Sequence, residues 1–201
     1  METARDGNAS KPQIINDVVY ETREIIPDIV TYIEDTLDQL QPLKYIFEDV
    51  FRADKLLERL YNDLPNGCCT VCKDVFIQDI VRLCSLFSRV KKNTRMTIQL
   101  EIVHTNKCRL FHEDYYRQRL LCTYRGPGTE WLHHSNVNRE ALGKGCNEKI
   151  VKDFSAIKRA NTFDVIIIKG ASYEIGELSI VHRSPPIEAE KLTRVLLKIH
   201  E

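Results

Sequence analysis

FHEDYYRQRLLCTYRGPGTEWL, residues 111–132, carries the pattern on which the reading of this chain turns. It places His112 two positions before Asp114, then a β-rich run, RLLCTYR, then a Gly-Pro-Gly-Thr turn. Side chains on a strand alternate between faces, so His112 and Asp114 would share one face, about 6–7 Å apart along the backbone. Both can then reach one ion at bond lengths of about 2.0–2.2 Å. A third ligand has to come from a different strand. His182, at the end of the strand-like LSIVH and just before a turn, is the candidate. Two imidazoles and one carboxylate on one triangular face leave the remaining coordination positions open, as a non-haem Fe(II) oxygenase requires. Three ligands with an open position equally suit catalytic zinc.

Three neighbours extend the constellation. Arg194 stands on the next expected strand, twelve residues past His182, where a guanidinium fork can take a carboxylate in two-pronged fashion. Thr129 and Trp131 follow the glycine turn and are placed to line the same pocket. Gly126-Pro127-Gly128-Thr129 fits a type II turn, with Pro second and Gly third. His133 and His134 are adjacent and would face opposite ways, which reads as a solvated loop. No G-x-S-x-G nucleophile elbow, P-loop or dinucleotide fingerprint is present.

Working outward, RMTIQLEIV, FDVIIIKG, LSIVHRS and TRVLLKIH read as further strands, with a polar, mixed segment over 136–160. The first half reads as helical. Ile29, Ile33, Leu37 and Leu40 keep helical spacing. Pro42 then opens a second helix whose stripe runs through Ile46, Phe47, Val50, Phe51, Leu57, Leu60 and Tyr61 to the breakers in DLPNG. Phe76, Ile80, Leu83, Cys84 and Phe87 form the face of a third. The expected fold is α+β: after a disordered lead-in over 1–13, one domain over 14–201. Its helical layer (14–92) packs on an antiparallel β core (93–201) of sandwich or barrel type.

Composition narrows the function classes. Lys plus Arg equals Asp plus Glu at 29 each, so no basic excess points to nucleic acid. The one basic cluster, Arg89-Val90-Lys91-Lys92, suits the negative end of a helix dipole. No apolar run approaches the roughly 20 residues of a membrane span. The polar start METARDGNASKPQ lacks the apolar core of a signal peptide, so a cytoplasmic location is expected. Seven cysteines, an odd number, read as thiols in a reducing compartment. Cys68, Cys69 and Cys72 include a C-x-x-C without a second pair at zinc-ribbon distance, so metal, redox and plain packing roles stay open.

The order H112-x-D114, G126-P-G-T129-x-W131, H182-x-x-x-P186, R194 resembles that of the Fe(II)/2-oxoglutarate dioxygenases of the prolyl-hydroxylase type over about residues 95–200. The resemblance implies a double-stranded β-helix (jelly roll), with Fe(II) on His112, Asp114 and His182. It further implies 2-oxoglutarate with its far carboxylate on Arg194, aided by the Tyr124 hydroxyl and Thr129, and a small-molecule or peptide substrate against Trp131 and Arg183. The 182–194 loop is longer than in many such enzymes and IEAEKLT lacks a glycine often found there. Arg183, Arg119 and Arg125 therefore stand as competing anchors. LCTYRGPGTEW together with VHRSPP is also similar to the mainly proteobacterial domain-of-unknown-function 1826 family, over most of the chain. A cupin-like zinc protein and a non-enzymatic interaction module are the other readings.

Overall fold

The computed structural model describes residues 13–15, 18–90, 95–172 and 176–201. The lead-in expected over 1–13 lies outside these apart from Gln13, which begins a strand. Among the described residues, ten strands and four α-helices follow one another in chain order. They are β1 (Gln13–Ile15), β2 (Val18–Glu21), α1 (Pro27–Thr36), β3 (Leu43–Phe47), α2 (Ala53–Asp63), α3 (Thr70–Val90), β4 (Met96–Val103), β5 (Gln118–Arg125), β6 (Glu130–Trp131), α4 (Asn147–Ile150), β7 (Lys158–Arg159), β8 (Val165–Lys169), β9 (His182–Arg183) and β10 (Arg194–His200). Seven strands form one antiparallel sheet in the order β1-β2-β8-β5-β10-β4-β3, and three short ones form a second, β7-β6-β9.

Strand alternation decides which side of the large sheet each residue serves. Leu120, Cys122 and Tyr124 of β5, with Val195, Leu197 and Ile199 of β10, join Ile29, Ile33, Phe76, Ile80 and Phe87 of the helices in one core. The opposite parity, Leu121, Ile166, Ile168 and Leu196, packs with Trp131, Ala160 and Ile180. Helices thus cover one face of the large sheet and the small sheet covers the other.

Three expectations change. Residues 43–47 are a strand: Leu43, Tyr45 and Phe47 turn inward while Lys44 and Ile46 are exposed, and the segment pairs with β4. The period of two outweighs the apolar stripe read across it, and the second helix starts only at Ala53. The N-terminal half therefore supplies three strands, β1 to β3, to the sheet. In the 126–129 turn, Gly126 holds the positive φ (79°), and Gly128 does not, so the type II assignment fails. Gly128 is needed for space instead, because a Cβ there would lie 2.2 Å from the Ala160 carbonyl oxygen. Lastly, LSIVHRS is a strand only at His182–Arg183.

Candidate metal centre

His112 lies in no regular strand. It makes an isolated antiparallel bridge with His182, each backbone N–H donating to the other's carbonyl at 3.0 Å. The bridge brings the two imidazoles side by side, ring centroids 4.7 Å apart. Asp114 follows in an irregular segment. Its own carbonyl accepts from the Ala171 N–H at 2.8 Å, which ties it to the end of β8. Convergence thus comes from a bend fixed by backbone bonds and not from same-face positions of one strand.

The three side chains do converge. His182 Nε2 lies 3.2 Å from Asp114 Oδ2, and His112 Nε2 lies 3.6 Å from Asp114 Oδ1. One ligand atom from each falls within 4.8 Å of the others, the one such group of His, Cys, Asp or Glu among the described residues. The His112 Nδ1 faces the Leu110 carbonyl at 2.8 Å, and the His182 Nδ1 faces the Ile180 carbonyl at 3.2 Å. A carbonyl only accepts, so each Nδ1 carries the proton and each Nε2 presents its lone pair to the common centre. Two neutral imidazole nitrogens and a carboxylate, separated as ligands around one ion are, fit a divalent metal.

Electrostatics keep the carboxylate of the group ionised. Burial would push the Asp114 carboxyl up. His112, His182 and the Arg119 guanidinium outweigh it and hold the group well below the usual carboxylate range. The Asp114 carboxylate in turn raises the imidazole of His112. Arg119 Nη1 donates to Asp114 Oδ2, and the guanidinium carbon Cζ lies over the Tyr116 ring, 4.4 Å from its centroid. Sequence reasoning had Arg119 only as a competing anchor. Its place on the same face of β5 as Leu121 was the available signal. A second clamp went unread: Glu113, between the two ligands, accepts from Ser179 Oγ and from Arg139 Nη1.

A cavity of about 140 Å³ opens beside the triad, lined among others by His112, His182, Arg119, Thr129, Ser184 and Leu196. Arg194 has the parity of Leu196 on β10 and lies behind the cavity lining, bonded to Ser184 of that lining. It is wholly buried and pairs across the sheet with Val103, another lining residue. Its Nη1 donates to Ser184 Oγ at 3.2 Å and its Nη2 to Thr123 Oγ1 at 3.3 Å, while its Nε has no partner. No carboxylate among the described residues forms an ion pair with it. Burial lowers its pKa to about 10, which leaves it charged at neutral pH.

The competing arginines are committed elsewhere. Arg183 lines the cavity but donates to Glu130 at 2.6 Å and stacks over Phe111. Arg125 pairs with Glu34. Thr129 is at the cavity wall. Trp131 is buried in the apolar packing between the sheets, opposite His182 in the strand register, with its indole N–H unpartnered. Tyr124 is not at the site. It points to the helical side, where its hydroxyl donates to Asp79 at 2.7 Å and its ring packs on Phe76, because residues 120, 122 and 124 share that parity.

The family described as Protein of unknown function (DUF1826) matches residues 11–200, and the chain belongs to it. Among curated proteins none matches significantly. Solved structures are similar at low identity, two of them as follows. One is the dioxygenase for auxin oxidation 1 from Arabidopsis thaliana in its 2-oxoglutarate complex, with 11% identity and a TM-score of 0.47 over all of this chain and 68% of that one. The other is the Fe(II)/α-ketoglutarate-dependent dioxygenase TqaL, with 11% identity and a TM-score of 0.45 over 87% of this chain and 74% of that one. Likenesses of this size leave the activity to be argued from the site.

Proposed function

We propose that this member of the DUF1826 family is an Fe(II)- and 2-oxoglutarate-dependent dioxygenase that hydroxylates a small molecule or peptide, and that its two sheets form a double-stranded β-helix. His112, Asp114 and His182 would hold the metal, and Arg194 would take the far carboxylate of 2-oxoglutarate. The observation that carries the reading is the pairing of a three-residue His-Asp-His group with a wholly buried guanidinium whose Nε is unpartnered and on which Glu101 and Glu130 act only from beyond ion-pair distance. A buried charge without a partner is costly, and a ligand carboxylate is the group that would complete it.

Each residue has a defined task. The Leu110 and Ile180 carbonyls hold the imidazole protons on Nδ1. Arg119 keeps Asp114 ionised and oriented. Ser184 and Thr123 aim the Arg194 fork. Thr129 and Leu196 form part of the cavity wall. When bound, Fe(II) with 2-oxoglutarate and O2 supplies the oxidising power, releasing succinate and CO2 as one oxygen atom goes to the substrate.

Calorimetric titration of 2-oxoglutarate into the anaerobic Fe(II)-loaded protein tests the assignment. Arg194→Met should weaken 2-oxoglutarate binding tenfold or more and leave metal stoichiometry unchanged. Equal affinities in the two proteins would remove Arg194 from the site. Metal binding with no 2-oxoglutarate binding in the wild type would favour the cupin-like zinc reading.

A further inference from the structure

We infer that Cys69 and Cys72 form a reversible dithiol–disulfide couple, a site of two-electron exchange with low-molecular-weight disulfides on the helical side of the large sheet. Cys69 is the residue before α3, and its carbonyl accepts the Lys73 N–H at 3.3 Å. Its Sγ accepts the backbone N–H of Cys72 at 3.2 Å, a contact that a thiolate makes more strongly than a thiol. The Cys72 side chain is buried and its Sγ donates to Asp28 Oδ1 at 3.8 Å; the neighbouring Cys69 sulfur, with burial, pushes the Cys72 thiol up to about 12. The Cys69 sulfur thus rests against the backbone of Cys72, with one thiol partly exposed and the other buried. Residues three apart across a helix start also have the Cα separation of about 4.4–6.8 Å that a disulfide needs.

The frame around the pair is fixed. Tyr32 donates to the Pro65 carbonyl at 2.7 Å, and Lys73 Nζ donates to the Leu64 carbonyl and Asn66 Oδ1, both at 2.8 Å. Gly67 sits where a Cβ would lie 2.7 Å from Asp35 Oδ2, so the loop is pressed onto α1. A metal role is disfavoured, because Cys68, Cys69 and Cys72 do not close into a ligand group with one another or with a nearby acid.

The exchange balances. The Cys69 thiolate attacks one sulfur of a disulfide such as oxidised glutathione; the S–S bond breaks and one glutathione thiolate leaves and takes a proton. Cys72, giving its proton to solvent, attacks the Cys69 sulfur and expels the second glutathione. Two electrons pass from the protein dithiol to glutathione, which ends as two thiols.

Oxidised glutathione added to the full-length protein, with alkylation and peptide mass mapping, is the test. Wild type and Cys68→Ser should both give a Cys69–Cys72 disulfide without retained glutathione, reversed by dithiothreitol. Cys72→Ser should instead accumulate the glutathione adduct on Cys69. Adducts confined to the exposed Cys68 in wild type, or no reaction at Cys69, would overturn the inference. So would a tightly held zinc ion that protects these thiols.

Discussion

Asp114 is surrounded by cationic and imidazole partners before any ion is considered, and Arg119 is the one that a metal would partly replace. Both side chains are largely buried, so removing the guanidinium leaves the carboxylate short of a charge-assisted bond. Arg119→Met should cost the metal-free protein about 1.5–3 kcal/mol. A bound ion then compensates, so Fe(II) or Zn(II) should raise Tm more in the variant than in wild type. Equal increments by differential scanning fluorimetry would show that Arg119 and the metal do not share Asp114. At this scale the sequence was informative about identity and poor about partners. His112, Asp114, His182 and Arg194 stood out because their residue types and order are chemically demanding. Tyr124 was misplaced because its hydroxyl is as usable by a buried acid as by a ligand, and only the parity of β5 tells which face it serves.

The segments that hold these residues are short and bonded to distant ones. Residues 114–116 are carried by the end of β8, where Gly170 donates to the Arg117 carbonyl and Ala171 to that of Asp114. A Cβ on Gly170 would stand 1.8 Å from the Tyr116 carbonyl oxygen and 2.8 Å from that of Asp114. Space, not an unusual backbone angle, requires the glycine there. Gly170→Ala should push the Asp114 segment away, costing about 1–3 kcal/mol and weakening metal binding tenfold or more. Unchanged metal affinity in that variant would mean that β8 does not position the ligand. Long, strongly patterned elements such as β4, β5, β10 and α3 were legible. The two-residue strands of the small sheet were not, because their pairing with each other, and not their own pattern, makes them strands. β3 was misread because an alternating run of Leu, Tyr and Phe beside further apolar residues satisfies a loose helical stripe as well.

Across the whole molecule, one buried acid links the helices to the sheet. Asp79 on α3 accepts from Arg23 Nη2 at 2.6 Å and from the Tyr124 hydroxyl of β5 at 2.7 Å, with the Arg23–Asp79 pair almost fully enclosed. Asp79→Ala strands the Arg23 charge and should lower urea stability by about 3–5 kcal/mol while leaving metal affinity unchanged, since the centre lies on the opposite face of the sheet. A loss below about 1 kcal/mol would show that the apolar core alone joins the layers. The α+β class and the β-rich second half followed from the change of period after α3. The contribution of β1 to β3 did not, because strands that are adjacent in the sheet, β2 with β8 and β3 with β4, lie far apart in the chain or are separated by helices.

The most direct test of the centre is anaerobic titration of the metal-free protein with Fe(II) and then 2-oxoglutarate, followed by visible absorption. One Fe(II) should bind per chain, and 2-oxoglutarate should then produce the charge-transfer band of its iron chelate in wild type but not in His112→Ala or Asp114→Ala variants that keep their far-ultraviolet circular dichroism. Failure of the wild-type protein to bind Fe(II), or a band that survives in both variants, would contradict the assignment of His112, Asp114 and His182 as the metal ligands.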